Sequence, residues 1–474
     1  MPVVIDQSPL HVLLARKGFP YAALAVIGML AWWALQQSAP AGLTTQGWDA
    51  IVVFLLCLVL WVTQLIPLSV TSLLGLALLP LLEVLPVDDA YGMFGNNAVF
   101  FILGSFMLAA GVMRTGLSEH LALALLDRVG LGPRRLLLAM LLLPAFMAGF
   151  MPEHAVAAVL LPIAWEIVRG LGLRLGHRYA QSVFLALAWG AIIGGVMTLL
   201  GGARGPLALG MVEELTGQSF SFLDWTLAAA PLVLLMLGIA VAVLLWVTPF
   251  DGLDVQAARQ RIERRQLEIG AVSINARIMG LLMLTTVLFW VLAGHTLGLA
   301  SIALISVVAM FSLRLVSWRD VEADVNWGVV LMYGGAIAVG KALAVTGAGA
   351  WIAAEFLPDG LSLGILLILL AAVTLFMTES VSNAAAVAIL LPVAIPVGLA
   401  VGMEPGSIAL AVGIVAGFAF MLPMGTPPNA IVHATGHVRP VDMLRYGAVL
   451  SLSALTLFLL VAWFWWPVVG LGLG

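Results

Sequence analysis

Residues 382–392 read SNAAAVAILLP and residues 152–162 read PEHAVAAVLLP. Both close on Leu-Leu-Pro, at Leu390, Leu391 and Pro392 and at Leu160, Leu161 and Pro162, an offset of 230 residues (390 against 160). That offset aligns Ser382 with Pro152, Asn383 with Glu153 and Ala384 with His154. Two further pairs flank these segments in the same order. Met113-Arg114-Thr115-Gly116 answers to Ala344-Val345-Thr346-Gly347, and Gly201-Gly202-Ala203-Arg204-Gly205 answers to Gly425-Thr426-Pro427-Pro428-Asn429. A Leu- and Gly-rich chain produces any one such match by chance. Three in order, with opposite flanking charge, read as a repeat whose halves are inverted in a membrane.

The membrane follows from composition. The chain is 63% hydrophobic and 9% charged, with mean hydropathy +1.14, which excludes a soluble domain of this length. Its apolar runs repeatedly exceed the roughly 18 residues that cross a bilayer as helix. Long Leu/Ala/Val runs without period-two alternation select helices over a barrel. The single cysteine, Cys57, lies in an apolar run and cannot form an intrachain disulfide. Residues 1–19 show no cleavable signal pattern, and the apolar run at 21–35 reads as a retained helix.

All of the twenty Lys and Arg except Arg204 and Lys341 fall in five clusters: 16–17, 114–178, 259–277, 314–319 and 439–445. Acidic positions at Asp88, Asp89, Glu213, Glu214, Asp359 and Glu404 alternate with them. The positive-inside rule then puts the basic clusters in the cytoplasm and the acidic loops outside, with the N-terminus inside and the C-terminus outside a bacterial-type inner membrane. The apolar stretch 136–168 is basic at both ends and interrupted by Pro144 and Pro152. A re-entrant hairpin, entering and leaving on one side, meets both facts. The stretch 361–401, between Asp359 and Glu404, is its counterpart from outside. Ordinary spans are expected at 20–37, 49–65, 68–86, 97–114, 183–210, 225–248, 275–294, 297–316, 326–346, 407–435 and 446–469. The expected fold is therefore all-α, with eleven transmembrane helices plus two re-entrant hairpins. Residues 255–269 read as a solvated cytoplasmic linker helix. The aromatic cluster Trp463, Phe464, Trp465 and Trp466 fits an outer interfacial belt, and Lys341 reads as snorkelling or, second, as lining the interface between domains.

The breaks carry the chemistry. Pro427 and Pro428 lack N–H donors and clash with a preceding turn, so helix cannot run through them. Carbonyls freed before them can coordinate a hard cation, and unsatisfied backbone at this depth is tolerated where it lines a site. A plain proline kink is the simpler account, and flanking Thr426 and Asn429 favour a site. At Ser382 and Asn383 a half-helix begins, so unpaired N–H groups and a positive dipole end face the cavity and suit an anion. Ser and Asn are equally ordinary N-caps.

The run 420–432, FMLPMGTPPNAIV, with Thr378-Glu379-Ser380-Val381-Ser382-Asn383, resembles the divalent anion/sodium symporter family, as do 61–67 and 94–99. The resemblance covers nearly the whole chain. It implies a homodimer with scaffold and elevator-type transport domains that moves dicarboxylates, citrate or sulfate, usually with sodium as coupling ion. On that pattern 1–128 and 274–347 are scaffold. Transport domain comprises 129–250 (hairpin 133–170, broken helix 183–210) and 348–474 (hairpin 361–401, broken helix 407–435), with 251–273 as linker. Substrate would meet Ser382, Asn383, Ala384, Thr426 and Pro427, and the second-half sodium site would use Thr378, Ser382, Asn383 and Gly425.

The first half departs from that pattern. Where the family has Ser-Asn-Thr the tip reads Pro152-Glu153-His154, and its break carries Arg204. An ionised side chain at membrane depth costs roughly 2.5–3.5 kcal/mol even on the lenient scale, so Arg204 and Glu153 are expected to pair or to serve the substrate. Arg204 would then replace a cation, and Glu153 and His154 join it as substrate-binding and proton-coupling candidates. A static Arg204–Glu153 staple accounts for the same residues equally well. The functional expectation is a secondary active transporter of small anions coupled to sodium, protons or both. The alternatives are an anion exchanger without cation coupling and an antiporter or arsenite-type permease. An intramembrane enzyme built on Glu153 and His154 lacks a nucleophile or metal set at usable spacing. No cofactor, resident metal or nucleic-acid partner is expected; the partners are a small anion, the lipid bilayer and a second copy.

Overall fold

The computed structural model describes residues 10–129, 132–253, 255–356, 358 and 361–472; Asp359, expected to flank the second hairpin, lies outside them. After α1 (Leu10–Leu35) come α2 (Thr45–Thr63), α3 (Leu68–Leu81), the short α4 (Val87–Gly92), α5 (Asn97–Arg114) and α6 (Leu117–Val129). The helices α7 (Pro133–Ala148) and α8 (Glu153–Gly170) follow, then α9 (Arg178–Gly194), α10 (Arg204–Thr216) and α11 (Phe222–Val247). Beyond α12 (Gln256–Ile269) the order recurs. It runs α13 (Ile274–Leu297), α14 (Leu299–Ser312), short α15 (Trp318–Asp324), α16 (Trp327–Val345) and α17 (Ala348–Phe356). The pair α18 (Leu363–Ser380) and α19 (Asn383–Ala400) follows, with α20 (Pro405–Val415), α21 (Pro427–His433) and α22 (Pro440–Phe464). The repeat seen in three motifs thus extends to ten successive helices, α2–α11 matched by α13–α22.

Packing between the halves is reciprocal. α5 lies on α14, and α16 lies on α3, so each half's long helix crosses the other half's short one. Both crossings need glycine. A Cβ on Gly335 would meet the Ser72 carbonyl oxygen at 2.3 Å, and one on Gly104 would meet Ala303 Cβ at 2.7 Å. The indole of Trp61 donates to the Leu68 carbonyl at 3.3 Å, and that of Trp290 to the Leu299 carbonyl at 3.0 Å. Both rings are fully buried, and each spends its one polar group tying a helix end to the next helix start. Large apolar side chains such as Leu81, Leu292 and Phe376 stay exposed on the outside, where hydrocarbon is the solvent.

Among the described residues nine helices are long and apolar enough to cross a membrane, the arms α18 and α19 included. The crossings expected at 68–86 and 297–316 are shorter helices of 14 residues, and those at 183–210 and 407–435 are interrupted. Three further expectations change. Lys341 does not snorkel: its Nζ is 2.5 Å from Glu214 Oε1, because α10 brings a carboxylate to α16. Trp466 is no belt residue but fully buried, its indole donating to the Ala228 carbonyl at 3.4 Å. The linker helix α12 is docked rather than merely solvated. Its Ala258 lies so close to Gly170 that a Cβ there would meet the Ala258 amide nitrogen at 2.8 Å. Arg261 pairs with Glu166 at 3.2 Å and Arg265 with Glu119 at 2.8 Å.

If close backbone approach holds the two halves together, a methyl at Gly335 must push α3 off α16. Gly335→Ala is expected to lose about 1–3 kcal/mol of stability. Gly280→Ala, whose new Cβ finds its nearest neighbour at an ordinary 3.6 Å, serves as control. Thermal unfolding of the detergent-solubilised protein compares the two, and equal melting temperatures would refute the packing argument.

Candidate functional site

Both helix pairs turn within a few residues. α7 stops at Gly149, and Pro152 opens α8 with its ring where no donor is needed. α18 stops at Val381 in extended conformation, and Ser382 caps α19, its Oγ accepting from Ala385 N at 3.3 Å. The first residues of the two inner arms meet: Asn383 Nδ2 lies 3.4 Å from Glu153 Oε1. The two tips therefore converge.

The interrupted helices close around this contact. Between α9 and α10 the chain folds on itself, and Gly201 accepts a hydrogen bond from Glu153 N at 2.9 Å. Arg204, the first residue of α10, donates from Nη1 to Glu153 Oε2 at 3.0 Å, with both side chains at most 5% exposed. Arg204 Nε and Nη2 have no hydrogen-bond partner among the described residues. Glycines make the room. A Cβ on Gly195 would meet Glu153 Oε2 at 2.8 Å, one on Gly202 would meet Arg204 Nη1 at 2.4 Å, and one on Gly417 would meet Arg204 Nε at 2.5 Å. Tyr333 of α16 donates its hydroxyl to the Ala203 carbonyl.

The second interruption, 416–426, is held from outside itself. Glu379 accepts from the amides of Phe420 and Met421 at 2.9 Å and of Leu422 at 3.1 Å, and from Ser451 Oγ at 3.0 Å. The carboxylate thereby ties the interruption to the end of α18. Asn429 Nδ2 donates to the Ala419 and Leu422 carbonyls at 3.1 Å each. Thr426 caps α21 through Asn429 N at 3.4 Å, and Pro427 and Pro428 fill the first turn, where missing donors cost nothing.

Inside this loop a second cluster forms. One terminal atom of the Asn383 carboxamide lies 2.8 Å from Thr378 Oγ1, 3.0 Å from the Gly425 carbonyl oxygen and 3.2 Å from the Ala416 carbonyl oxygen. Thr378 Oγ1 is also 2.7 Å from that Ala416 oxygen, which belongs to the C-terminal cap of α20. With the carboxamide oxygen turned inward, four neutral oxygens converge. Hard cations take such donors, and unwound carbonyls with half-helix C-terminal ends form sodium sites in membrane carriers. The residues present therefore fit a small hard cation.

Beside both clusters lies a cavity of about 330 Å³. Of the residues read from sequence as substrate contacts, Glu153, His154, Arg204, Ser382, Asn383, Ala384 and Pro427 line it, whereas the buried Thr426 does not. Thr378 and Gly425 stand behind Asn383 in the oxygen cluster, and Ser382 Oγ is spent on its own cap. The opposite wall, Leu68, Ser69, Phe106, Asn326, Val329 and Met332, was not anticipated. His154 sets its ring edge-on to Phe106, centroids 6.3 Å apart. A signal for Asn326 existed, because the 230-residue offset pairs it with Asn96. Each begins a long helix as N-cap. Nothing in the sequence pointed to the Ala416 carbonyl.

The family profile described as the sodium:sulfate symporter transmembrane region matches residues 18–471. A sodium-dependent dicarboxylate transporter of Staphylococcus saprophyticus is 27% identical over 457 residues, covering 90% of this chain and 88% of that protein. Its Staphylococcus aureus namesake is 26% identical over 488 residues, covering 96% and 94%. Among solved structures, Neisseria gonorrhoeae MtrF superposes with a TM-score of 0.61 at 15% identity, covering 94% of this chain and 98% of that one. Alcanivorax borkumensis YdaH gives 0.50 at 19% identity, covering 79% and 87%. Both describe the fold alone.

Removing one member of a buried ion pair strands the other. Arg204→Met or Glu153→Leu alone is expected to cost roughly 3–5 kcal/mol, and the double variant less than the sum. Melting temperatures of the four proteins in detergent check this, and additive losses would mean that the two side chains do not support one another.

Proposed function

This chain belongs to the sodium:sulfate symporter family, and we propose that it is a secondary active transporter carrying a dicarboxylate or similar oxyanion in symport with sodium. It is a transporter rather than an enzyme, as the family and its relatives are. The observation that carries the reading is the oxygen cluster of Thr378, Asn383, Ala416 and Gly425, which shares Asn383 with the wall of the cavity. Sodium there and the substrate anion in the cavity would lie on opposite sides of one carboxamide, so each offsets the charge that makes the other costly to bury. The start of α19 adds its positive dipole end and free amides toward the anion.

The first half is read differently. Arg204 is tethered where a second exchangeable cation would otherwise serve, and its charge is balanced by Glu153. Arg204 also lines the cavity, where a guanidinium suits a carboxylate. His154, on the same wall, is the candidate for proton coupling. The scaffold is 1–128 with 274–347, and the moving body is 129–250 with 348–474, joined by 251–273. In support, the cavity takes one wall from each: Leu68, Phe106, Asn326 and Met332 against Glu153, Arg204, Asn383 and Pro427. The hairpins enter from opposite faces, the N-terminus lies in the cytoplasm and the C-terminus outside, and two copies assemble through their scaffolds.

One observation favours a second reading. Since Arg204 carries a permanent charge, the protein can work as an exchanger in which the anion alone permits return. Uptake of radiolabelled succinate into proteoliposomes separates the two. Under symport, an inward sodium gradient accelerates uptake, and with one exchangeable cation the sodium dependence saturates with a Hill coefficient of about one. Uptake indifferent to sodium but dependent on internal dicarboxylate would establish exchange instead.

A further inference from the structure

Asn383 touches two things at once. One end of its carboxamide lies in the oxygen cluster of Thr378, Ala416 and Gly425, and the other end faces Glu153 Oε1 at 3.4 Å. The two orientations of that amide are therefore different chemical states of the site. With nitrogen inward it donates toward the Gly425 and Ala416 carbonyls at 3.0 and 3.2 Å, and the cluster is satisfied without a cation. Its oxygen then faces the Glu153 carboxylate, acceptor against acceptor. With oxygen inward, four oxygens converge and call for a cation, while the amide nitrogen donates to Glu153.

We propose that the Glu153–Arg204 pair of the first half sets the orientation of the Asn383 carboxamide and so prepares the cation pocket of the second half. Arg204 holds Glu153 as a carboxylate by a 3.0 Å hydrogen bond to Oε2, leaving Oε1 turned toward Asn383. A charged acceptor draws the donor end of the amide, and a hydrogen bond to a charged group outweighs one between neutral groups. The oxygen end is thereby aimed at Thr378, Ala416 and Gly425. Glu153 is a positioning residue in this arrangement, since it does not reach the cation but orients the ligand that does. The aligned position of the second half is Asn383 itself, so a carboxylate at 153 sits where the repeat places its symmetry mate. The closeness of the contact is built into the backbone. Glu153 N is anchored to the Gly201 carbonyl at 2.9 Å, and a Cβ on Gly195 would strike Oε2, so the carboxylate has little room to turn away.

The inference rests on the cation pocket being read correctly, and the test separates the two failures. Purified protein is titrated with sodium chloride against choline chloride at constant ionic strength, and the melting temperature reports the sodium midpoint. Glu153→Gln with Arg204→Gln replaces a neutral ion pair by a neutral amide pair, so the summed charge beside the pocket is unchanged. The midpoint is expected to rise by about tenfold or more, from the loss of one charged acceptor. Arg204→Lys keeps the carboxylate charged, and its midpoint is expected to stay within about twofold of the wild type. A double variant with the wild-type midpoint, or Arg204→Lys shifted tenfold, overturns the proposal while the pocket stands. Should the double variant not fold, Glu153→Asp decides: it keeps the charge but draws the carboxylate away from Asn383, so its midpoint is expected to rise, and a wild-type midpoint overturns the proposal. Wild-type protein whose melting temperature ignores sodium overturns the pocket and the proposal together. Thr378→Val, which removes one ligand, is expected to abolish the sodium response.

Discussion

A carboxylate and a guanidinium 3.0 Å apart, buried where three helices begin, are the contact on which the rest of this architecture depends. Desolvation of two such groups costs several kcal/mol each, and their attraction offsets it only in good geometry. The protein therefore has to bring α8, α10 and α19 to within a few ångströms of one point and keep them there. It does so with backbone rather than side chains. Gly195, Gly201, Gly202 and Gly417 pack so closely that any Cβ would collide with the pair or with the crossing chain. A proline-opened α8 removes a donor that the crowded tip could not satisfy, and the amide of Glu153 is taken up by Gly201.

The same economy explains the second interruption. Eleven residues leave helical geometry between α20 and α21, and exposed amides and carbonyls in that position would be costly in hydrocarbon. Glu379 absorbs three of the amides and Asn429 two of the carbonyls. What is left on the inside is selective: the Gly425 oxygen and the Ala416 oxygen, the latter already accepting from Thr378 Oγ1 at 2.7 Å, both beside the Asn383 carboxamide. A loop that left all its carbonyls free would be unstable, and one that satisfied all of them would bind nothing.

Much of this was legible in the sequence because it is written in residues that break helices. The Leu-Leu-Pro offset located both tips, the double proline located the second interruption, and two charges in an apolar chain located each other. The residues that escaped notice act through backbone or through shape. Ala416 contributes a carbonyl that any residue would carry, and Phe106 and Met332 are indistinguishable in sequence from lipid-facing side chains. Trp466 belonged to an aromatic run that fits a membrane interface, and only the packing of α22 against α11 turns its indole into the interior. Lys341 had no visible partner because Glu214 arrives from another helix 127 positions away.

The two halves repeat in backbone but not in chemistry, and that asymmetry bears on how coupling can work. A repeat with the same tip sequence in both halves offers two equivalent pockets, each empty or filled. Here one tip holds a fixed positive charge, covalently part of α10 and paired with Glu153, while the other gathers oxygens that fit a small hard cation when the Asn383 carboxamide oxygen turns inward. The fixed charge contributes nothing to a gradient-driven step, because it makes the same electrostatic contribution on both sides of the membrane. On the proposed reading, dependence on a sodium gradient would then arise at the second tip, dependence on protons at His154 of the first, and dependence on the anion in the cavity between them. Asn383 is the one side chain that belongs to both. On the proposed reading, cargo and coupling ion would sense each other through that amide, or through the Glu153 carboxylate it faces.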